Sequence, residues 1–200
     1  MSLQQLSVHK KYFKFLDDYN GGEGVCVGIS LVWIMRNIDE HGRTDSPIDD
    51  SPGLRRAWVY QRDSNAADDD KGYAKRLEWL GNRLDECFDN ISFEIKESKS
   101  KTFSSSEDNK SVKKKVKDYL ADNEKDIAFI LFFEAPIIIG HAIAIFQPAR
   151  KTECYVYDPN VGVSLWKSSG RELCDEIEER FILEEKVQYT LCAGLFVKSW

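Results

Sequence analysis

The chain lacks the features of several common functional classes. Its 28 lysine and arginine residues are outnumbered by 34 aspartate and glutamate residues, and the net charge is −6. Nucleic-acid-binding proteins usually present a basic surface, so this balance argues against nucleic acid as a partner. No apolar run is long enough to span a bilayer, which argues against stable membrane insertion. The opening segment MSLQQLSVHKKYFKF has no apolar core of the secretory type, so we expect no classical signal peptide.

Cysteine is scarce, and its spacing argues against two kinds of site. The five cysteines are Cys26, Cys87, Cys154, Cys174 and Cys192. They are widely separated and none belongs to a CxxC pair, so the sequence predicts neither a structural zinc site nor a disulfide framework. An odd number of isolated thiols is more typical of a protein in a reducing compartment.

The composition is typical of one folded domain. Hydrophobic residues make up 42% of the chain and aromatic residues 12%, as in ordinary globular proteins. The length of 200 residues predicts a single domain that covers residues 1–200. One segment, KESKSKTFSSSEDNKS at 96–111, is polar and rich in serine, and we interpret it as a mobile surface loop.

Helices are predicted mainly in the first part of the chain, where apolar residues recur at helical spacing. Residues 43–70 contain two prolines and an acidic run, and they predict a loop with a short element near Trp58. The first predicted helix begins near Cys26, the second covers 73–88 and the third covers about 111–122.

Strands are predicted mainly in the last third of the chain, where short apolar runs alternate with turn residues. One further helix is predicted there, because Ser169 and Glu172 have the spacing of a capping box. Helices followed by strands favour an α+β fold with an antiparallel sheet packed on the helices. The predicted strands are 127–133, 141–146, 154–157, 163–166 and 189–198.

Cys26 has a setting that suits a nucleophile. A thiol attacks as the thiolate, and a helix N-terminus lowers the thiol pKa from its ordinary value of about 8.5. Cys26 lies at the predicted start of a helix, and the glycines around it, Gly28 among them, would let a substrate backbone approach. The other four cysteines lie within predicted helices or strands, where a small buried apolar residue is the simpler interpretation.

A cysteine nucleophile also needs a histidine, and the chain has three. His9 lies in a polar segment, and His41 lies at a helix end, where a cation complements the dipole. His141 follows Gly140 and opens the strand HAIAIF, where an imidazole can project into a cleft. A histidine beside an apolar strand is often structural, but His141 is the best candidate for a Cys/His mechanism in this chain.

Asp158 is the candidate for orienting the imidazole. If the strands 141–146 and 154–157 form a hairpin, His141 and Asp158 meet at one edge of the sheet. Asp158 also begins the tripeptide Asp-Pro-Asn, which is typical of a turn. We therefore expect Asp158 to serve both the turn and the histidine.

An acyl-transfer site also needs donors for the oxyanion. The backbone N–H of Cys26 is one candidate. A side-chain amide upstream is the usual second donor, and Asn20 lies six positions before Cys26. Asn20 also suits a turn in Tyr-Asn-Gly-Gly, so both interpretations of this residue stay open.

Three stretches together resemble the YopT/AvrPphB family of bacterial effector cysteine proteases. They occur in the order that the family shows, with cysteine first, then histidine, then aspartate. The resemblance implies that Cys26 is the nucleophile, His141 the base and Asp158 the orienting residue. It also implies a papain-like fold with the nucleophile at the N-terminus of a central helix, and a mechanism without metal or organic cofactor. The stretches are GVCVGISLVWI (24–34), GHAIAIF (140–146) and YVYDPNVG (155–162).

The resemblance further implies a protein substrate and a place of action. Family members are delivered into the host cytosol, and their targets include small GTPases of the Rho type and host kinases. The same catalytic groups also serve deamidases and fatty acyltransferases, which share the thioester intermediate. A non-catalytic interaction domain that binds through surface loops is a further alternative, against which the three intact catalytic positions argue.

Overall fold

The structure is a computed structural model, and the residues that it describes are 24–40, 46–67, 73–89, 91–97, 106–122, 124–134, 140–167, 170–185 and 190–199. Within these ranges the chain forms five helices. None of them is both long enough and apolar enough to cross a membrane. The helices are α1 (Cys26–Asp39), α2 (Ser51–Ala66), α3 (Ala74–Cys87), α4 (Ser106–Ala121) and α5 (Gly170–Glu185).

One antiparallel sheet contains the six strands of the described ranges, in the order β1-β6-β2-β3-β4-β5. The predicted α+β class is therefore confirmed. Most neighbouring strands are joined by short connections, whereas β1 and β2 both pair with the C-terminal strand β6. The strands are β1 (Ile91–Glu97), β2 (Ile127–Glu134), β3 (His141–Gln147), β4 (Cys154–Asp158), β5 (Gly162–Trp166) and β6 (Thr190–Ser199).

The sheet is covered on both faces, because apolar side chains point alternately to the two sides of a strand. In β2 both alternating sets are buried, and each contributes to a different hydrophobic cluster. Helices α1, α2 and α3 cover one face, and α4 and α5 cover the other. The β2 residues on the first face are Ala128, Ile130 and Phe132, and those on the second are Ile127, Phe129, Leu131 and Phe133.

Helix α1 lies at the centre of the first layer. Most of its side chains are buried, as expected for a helix that packs on more than one side. The Ser30 hydroxyl donates to the Ala142 carbonyl of β3 at 3.5 Å, and the ring of Trp33 packs on that of Tyr157 of β4 with centroids 5.3 Å apart. These contacts fix α1 against the two strands that carry the candidate histidine and aspartate.

The prediction of a loop over residues 43–70 was wrong for Ser51–Ala66, which form α2. Pro52 lies in the first turn of this helix, where a missing N–H costs nothing because first-turn amides lack intrahelical acceptors. The Asp50 side chain caps the helix by accepting from the Gly53 N–H at 2.8 Å. Pro52, which suggested a loop, and Asp50 therefore both mark the start of a helix.

The interpretation of residues 96–111 also needs correction. Residues 96–97 end strand β1 and residues 106–111 already belong to α4, so helical structure begins earlier than predicted. Residues 98–105 and the predicted cap Ser169 lie outside the described residues. Strand β1 itself was not predicted, although Ile91, Phe93 and Ile95 alternate as a strand should.

Gly28 packs against α2, and not toward a substrate as the sequence suggested. A Cβ atom at this position would overlap the Ala57 carbonyl oxygen and lie 2.9 Å from the backbone nitrogen of Gln61. The backbones of α1 and α2 therefore approach each other at Gly28, which requires a residue without a side chain.

Gly28→Ala is expected to lower the free energy of unfolding by about 1–3 kcal/mol, because the added methyl group must push two helix backbones apart. Chemical denaturation measures this change. Gly24→Ala is the matched control, since no atom lies within 4 Å of a Cβ built there. Equal stability of the two variants would contradict the close approach of α1 and α2.

Candidate active site

The topology brings together three side chains that are far apart in the sequence. Cys26 is the first residue of α1, His141 the first residue of β3, and Asp158 the last residue of β4. The predicted hairpin is confirmed, since β3 and β4 pair antiparallel with Ala144 opposite Tyr157. The start of β3 therefore lies next to the end of β4, at the edge of the sheet to which the N-terminus of α1 points.

His141 and Asp158 form a buried pair. The distance between Nε2 of His141 and Oδ1 of Asp158 is 3.0 Å, and the two residues are 8% and 2% exposed. The same Oδ1 accepts the Asn160 N–H at 2.9 Å, and the Arg180 guanidinium lies 3.9 Å from Oδ2. Asp158 thus makes both the turn contact and the histidine contact that the sequence indicated.

The surroundings of Asp158 favour its ionised form. Burial would raise the pKa of this carboxyl group, because a charge is less stable away from water. The hydrogen bond and charge of His141, the Asn160 N–H and the charge of Arg180 act in the other direction, and the pKa of Asp158 is lowered overall. A buried carboxylate with these partners can hold an imidazolium beside it.

Cys26 is partly exposed and is hydrogen-bonded to His141. Because Asp158 engages Nε2, the ring nitrogen available to the thiol is Nδ1. Burial would raise the pKa of the Cys26 thiol, but the hydrogen bond and charge of His141 outweigh it, and the pKa is lowered overall. The backbone of Ala142 and the charge of Arg76 also lower the pKa of Cys26.

The pKa of His141 is shifted in the opposite direction from that of Cys26. Burial would lower the pKa of its imidazole, but hydrogen bonds and charges of Asp158 and Cys26 raise it to about 10. A lowered thiol pKa and a raised imidazole pKa favour transfer of the proton from Cys26 to His141. The arrangement can therefore hold a thiolate–imidazolium pair at neutral pH.

The other cysteines have a different environment. Burial raises the pKa of the Cys154 thiol to about 12, and it also raises the pKa of Cys174 and Cys192. Cys87 is exposed at the end of α3. Among the described residues, Cys26 is the thiol that contacts a histidine.

The backbone amides at the start of α1 are partly occupied. The N–H groups of Val27 and Gly28 both donate to Oε1 of Gln61 from α2. Gln61 does not occupy the N–H of Cys26, which is the amide proposed for the oxyanion. Asn20, the second predicted donor, lies outside the described residues, as do His9 and His41.

The sequence interpretation did not identify Gln61, Arg76 or Arg180. Gln61 lies in the segment that was predicted as a loop, so no helix face was available from which to place it. Arg76 is an ordinary polar position of α3, and Arg180 of α5 approaches Asp158 from the far end of the chain. Within the described ranges no three histidine, cysteine, aspartate or glutamate side chains cluster as metal ligands would.

Comparisons with known proteins identify a family and a similar fold. The family model Peptidase C58, described as Yersinia/Haemophilus virulence surface antigen, matches residues 4–172. The crystal structure of the Pseudomonas avirulence protein AvrPphB is similar in fold, with a TM-score of 0.58 and 16% sequence identity over 90% of this chain and 94% of that chain. The papain-like fold expected from the sequence agrees with this similarity. No curated protein matches the chain at a significant level.

Proposed function

The chain belongs to the Peptidase C58 family of cysteine peptidases, and from this premise we propose that it is a thiol protease with Cys26 as nucleophile, His141 as general acid and base, and Asp158 as the orienting residue. The observation that supports this assignment is the continuous chain of contacts from the thiol through the imidazole to the carboxylate. The helix N-terminus at Cys26 adds to the stability of the thiolate.

In the proposed mechanism the proton rests on His141 before the substrate arrives. The Cys26 thiolate attacks the carbonyl carbon of a peptide bond, and the oxyanion accepts the Cys26 N–H and a side-chain N–H of Asn20. His141 gives its proton to the leaving amine, and a thioester remains on Cys26. His141 then takes a proton from water, which attacks the thioester and releases the second product.

Asp158 keeps the imidazole in place through these steps. Its contact with Nε2 leaves Nδ1 toward the thiol, and its charge favours the protonated ring. The nucleophile and the acid–base group come from the protein, and water is the second reactant, so the proposed reaction requires no metal or organic cofactor.

We propose further that the substrate is a host protein and that the enzyme acts in the host cytosol after delivery from a bacterium. A protein substrate follows from the peptidase family. The resemblance to bacterial effector proteases supports a host small GTPase or kinase as the target.

Mass spectrometry of host-cell proteins treated with the wild type or with Cys26→Ala tests this function. We expect new peptide termini only in the wild-type sample. A small mass gain at glutamine or asparagine without cleavage would identify a deamidase, and lipid-modified lysines would identify an acyltransferase. Stable binding of a protein without any modification would identify an interaction domain.

Cys26 is expected to be alkylated faster than the other four cysteines at pH 6, because its thiolate is stabilised by His141. Peptide mapping after brief iodoacetamide treatment measures the five rates. Cys87 is the internal comparison, since it is exposed and accessibility alone would favour it. Preferential labelling of Cys87 at pH 6 would contradict the assignment of Cys26 as nucleophile.

A further inference from the structure

Gln61 caps the helix that carries the candidate nucleophile. Its side-chain oxygen Oε1 accepts the Val27 N–H at 3.0 Å and the Gly28 N–H at 3.1 Å. Val25, at the N-cap position of α1, makes no side-chain cap bond, so Gln61 supplies from another helix what an N-cap side chain usually supplies. Gln61 is only 6% exposed, and both bonds are shielded from water.

The nitrogen of the Gln61 side-chain amide is also held by a hydrogen bond. Its Nε2 donates to Oδ1 of Asn65 at 2.9 Å. Nη2 of Arg76 donates to the same oxygen at 2.8 Å, and Nε of Arg76 donates to the Ser64 hydroxyl at 3.3 Å. Since Nε2 faces an acceptor, the amide can turn only its oxygen toward α1. The orientation of Gln61 is therefore determined by residues of α2 and α3.

The close approach at Gly28 makes this contact possible. The backbones of α1 and α2 touch there, with a Cβ at Gly28 lying 2.9 Å from the Gln61 nitrogen. This spacing places the base of the Gln61 side chain next to the first turn of α1. Its oxygen can then reach two consecutive amides without an intervening water.

The contact also affects the groups proposed for catalysis. Two of the first three N–H groups of α1 are occupied by Gln61, whereas the Cys26 N–H is not. The first turn cannot rotate without breaking both bonds. Rotation of that turn would move the Cys26 sulfur away from His141 and its N–H away from the oxyanion.

We propose that Gln61 is a positioning residue for catalysis, which holds the first turn of α1 so that Cys26 stays in contact with His141. This proposal rests on the proposed thiol protease function. Gln61 acts through the backbone of α1 and does not itself touch the substrate.

Gln61→Met tests the proposal, because methionine fills a similar volume but accepts no hydrogen bond of comparable strength. We expect faster amide hydrogen exchange in the peptide that contains residues 24–31. We also expect iodoacetamide to alkylate Cys26 more slowly at pH 6, by up to about tenfold for each unit by which the pKa of the thiol rises.

Leu54→Ala is the matched control for a general loss of stability. Leu54 is a buried residue of α2, but it does not bond to the start of α1. This variant is expected to unfold more easily while both the alkylation profile of Cys26 and the exchange of residues 24–31 at low denaturant stay as in the wild type.

Gln61→Glu provides a second test that does not depend on loss of the cap. One carboxylate oxygen can still accept the two N–H groups, although the other replaces the Nε2 donor that faces Oδ1 of Asn65, so the exchange of residues 24–31 should be slower than in Gln61→Met. The added negative charge beside the first turn should shift the alkylation profile of Cys26 to higher pH.

The outcomes separate the two proposals. If Cys26 of the wild type is not the fastest thiol at pH 6, the proposed function fails. If Cys26 is fast in the wild type and Gln61→Met matches Leu54→Ala in both measurements, only the role of Gln61 is overturned. Should Gln61→Met not fold, an alkylation profile of Gln61→Glu that is unchanged from the wild type also overturns it.

Discussion

Cys26→Ala and His141→Ala are each expected to lower turnover by about 10⁴- to 10⁶-fold, and the double variant to lose no more than either single variant. The loss corresponds to about 5–8 kcal/mol of activation free energy. The effects should not add, because the thiolate and the imidazolium act as one unit. Without Cys26 there is no bond to the substrate, and without His141 the leaving amine receives no proton.

His141→Ala should also change the thiol itself. The hydrogen bond and charge of His141 are what outweigh the burial of Cys26, so the variant should alkylate Cys26 more slowly at pH 6. Turnover is measured on the host protein that mass spectrometry of treated host-cell proteins identifies, and the alkylation rate is measured on the same enzyme preparation. Cys87→Ala is the control, because it removes an exposed thiol outside the site. Independent, additive losses in the two single variants would contradict a shared mechanism.

Asp158→Asn is expected to lower turnover by about 10- to 10³-fold, or about 1.4–4 kcal/mol of activation free energy. In serine triads the corresponding change costs about 10⁴-fold, but here the helix N-terminus and His141 stabilise the thiolate in advance. An asparagine can keep the Asn160 N–H as a donor, so the turn should survive. What it removes is the negative charge next to the imidazolium.

The pH dependence of Asp158→Asn should differ in a defined direction. Asp158 raises the pKa of His141, so its loss should let the imidazolium deprotonate at lower pH. The alkaline limit of activity should therefore move toward neutral pH. Rates measured between pH 6 and pH 10 would show this shift, and an unchanged alkaline limit would contradict the orienting role of Asp158.

The stability of Asp158→Asn should depend less on acid pH than that of the wild type. The pKa of Asp158 is lowered in the folded state, so the carboxylate stabilises the fold above its unfolded pKa of about 3.9, and this contribution is lost as the pH falls through the folded value. The wild type should therefore lose more stability than the variant below about pH 4. Asp126→Asn is the control, since Asp126 lies outside the site and accepts the Ala149 N–H at 2.7 Å.

The local positions of the three candidate residues could be predicted from the sequence. Cys26 precedes an apolar helical pattern, His141 follows a glycine and opens an apolar strand, and Asp158 starts a turn. Each signal depends on residues within a few positions, and hydrophobic period and turn chemistry are local properties. The hairpin between β3 and β4 then followed from the shortness of the connection.

Helix α2 and strand β1 could not be recognised in the same way. Pro52 and the acidic residues near it have the same local appearance in a loop and in the first turn of a helix. Strand β1 has the alternation of a strand, but it is separated by about a hundred residues from its partner β6, with Phe93 opposite Val197. Its place at the sheet edge was decided by long-range pairing.

The sequence by itself determined which residues could react, whereas the tertiary structure decided how they are held. The bonds from Val27 and Gly28 to Gln61 span 34 and 33 residues, and no local pattern specifies them. In the sequence Gly28 suggested that a substrate could approach there, but in the structure Gly28 lies against the backbone of α2. Local sequence encodes period, caps and turns, while the environment of Cys26 depends on which backbones meet after the chain has folded around the sheet.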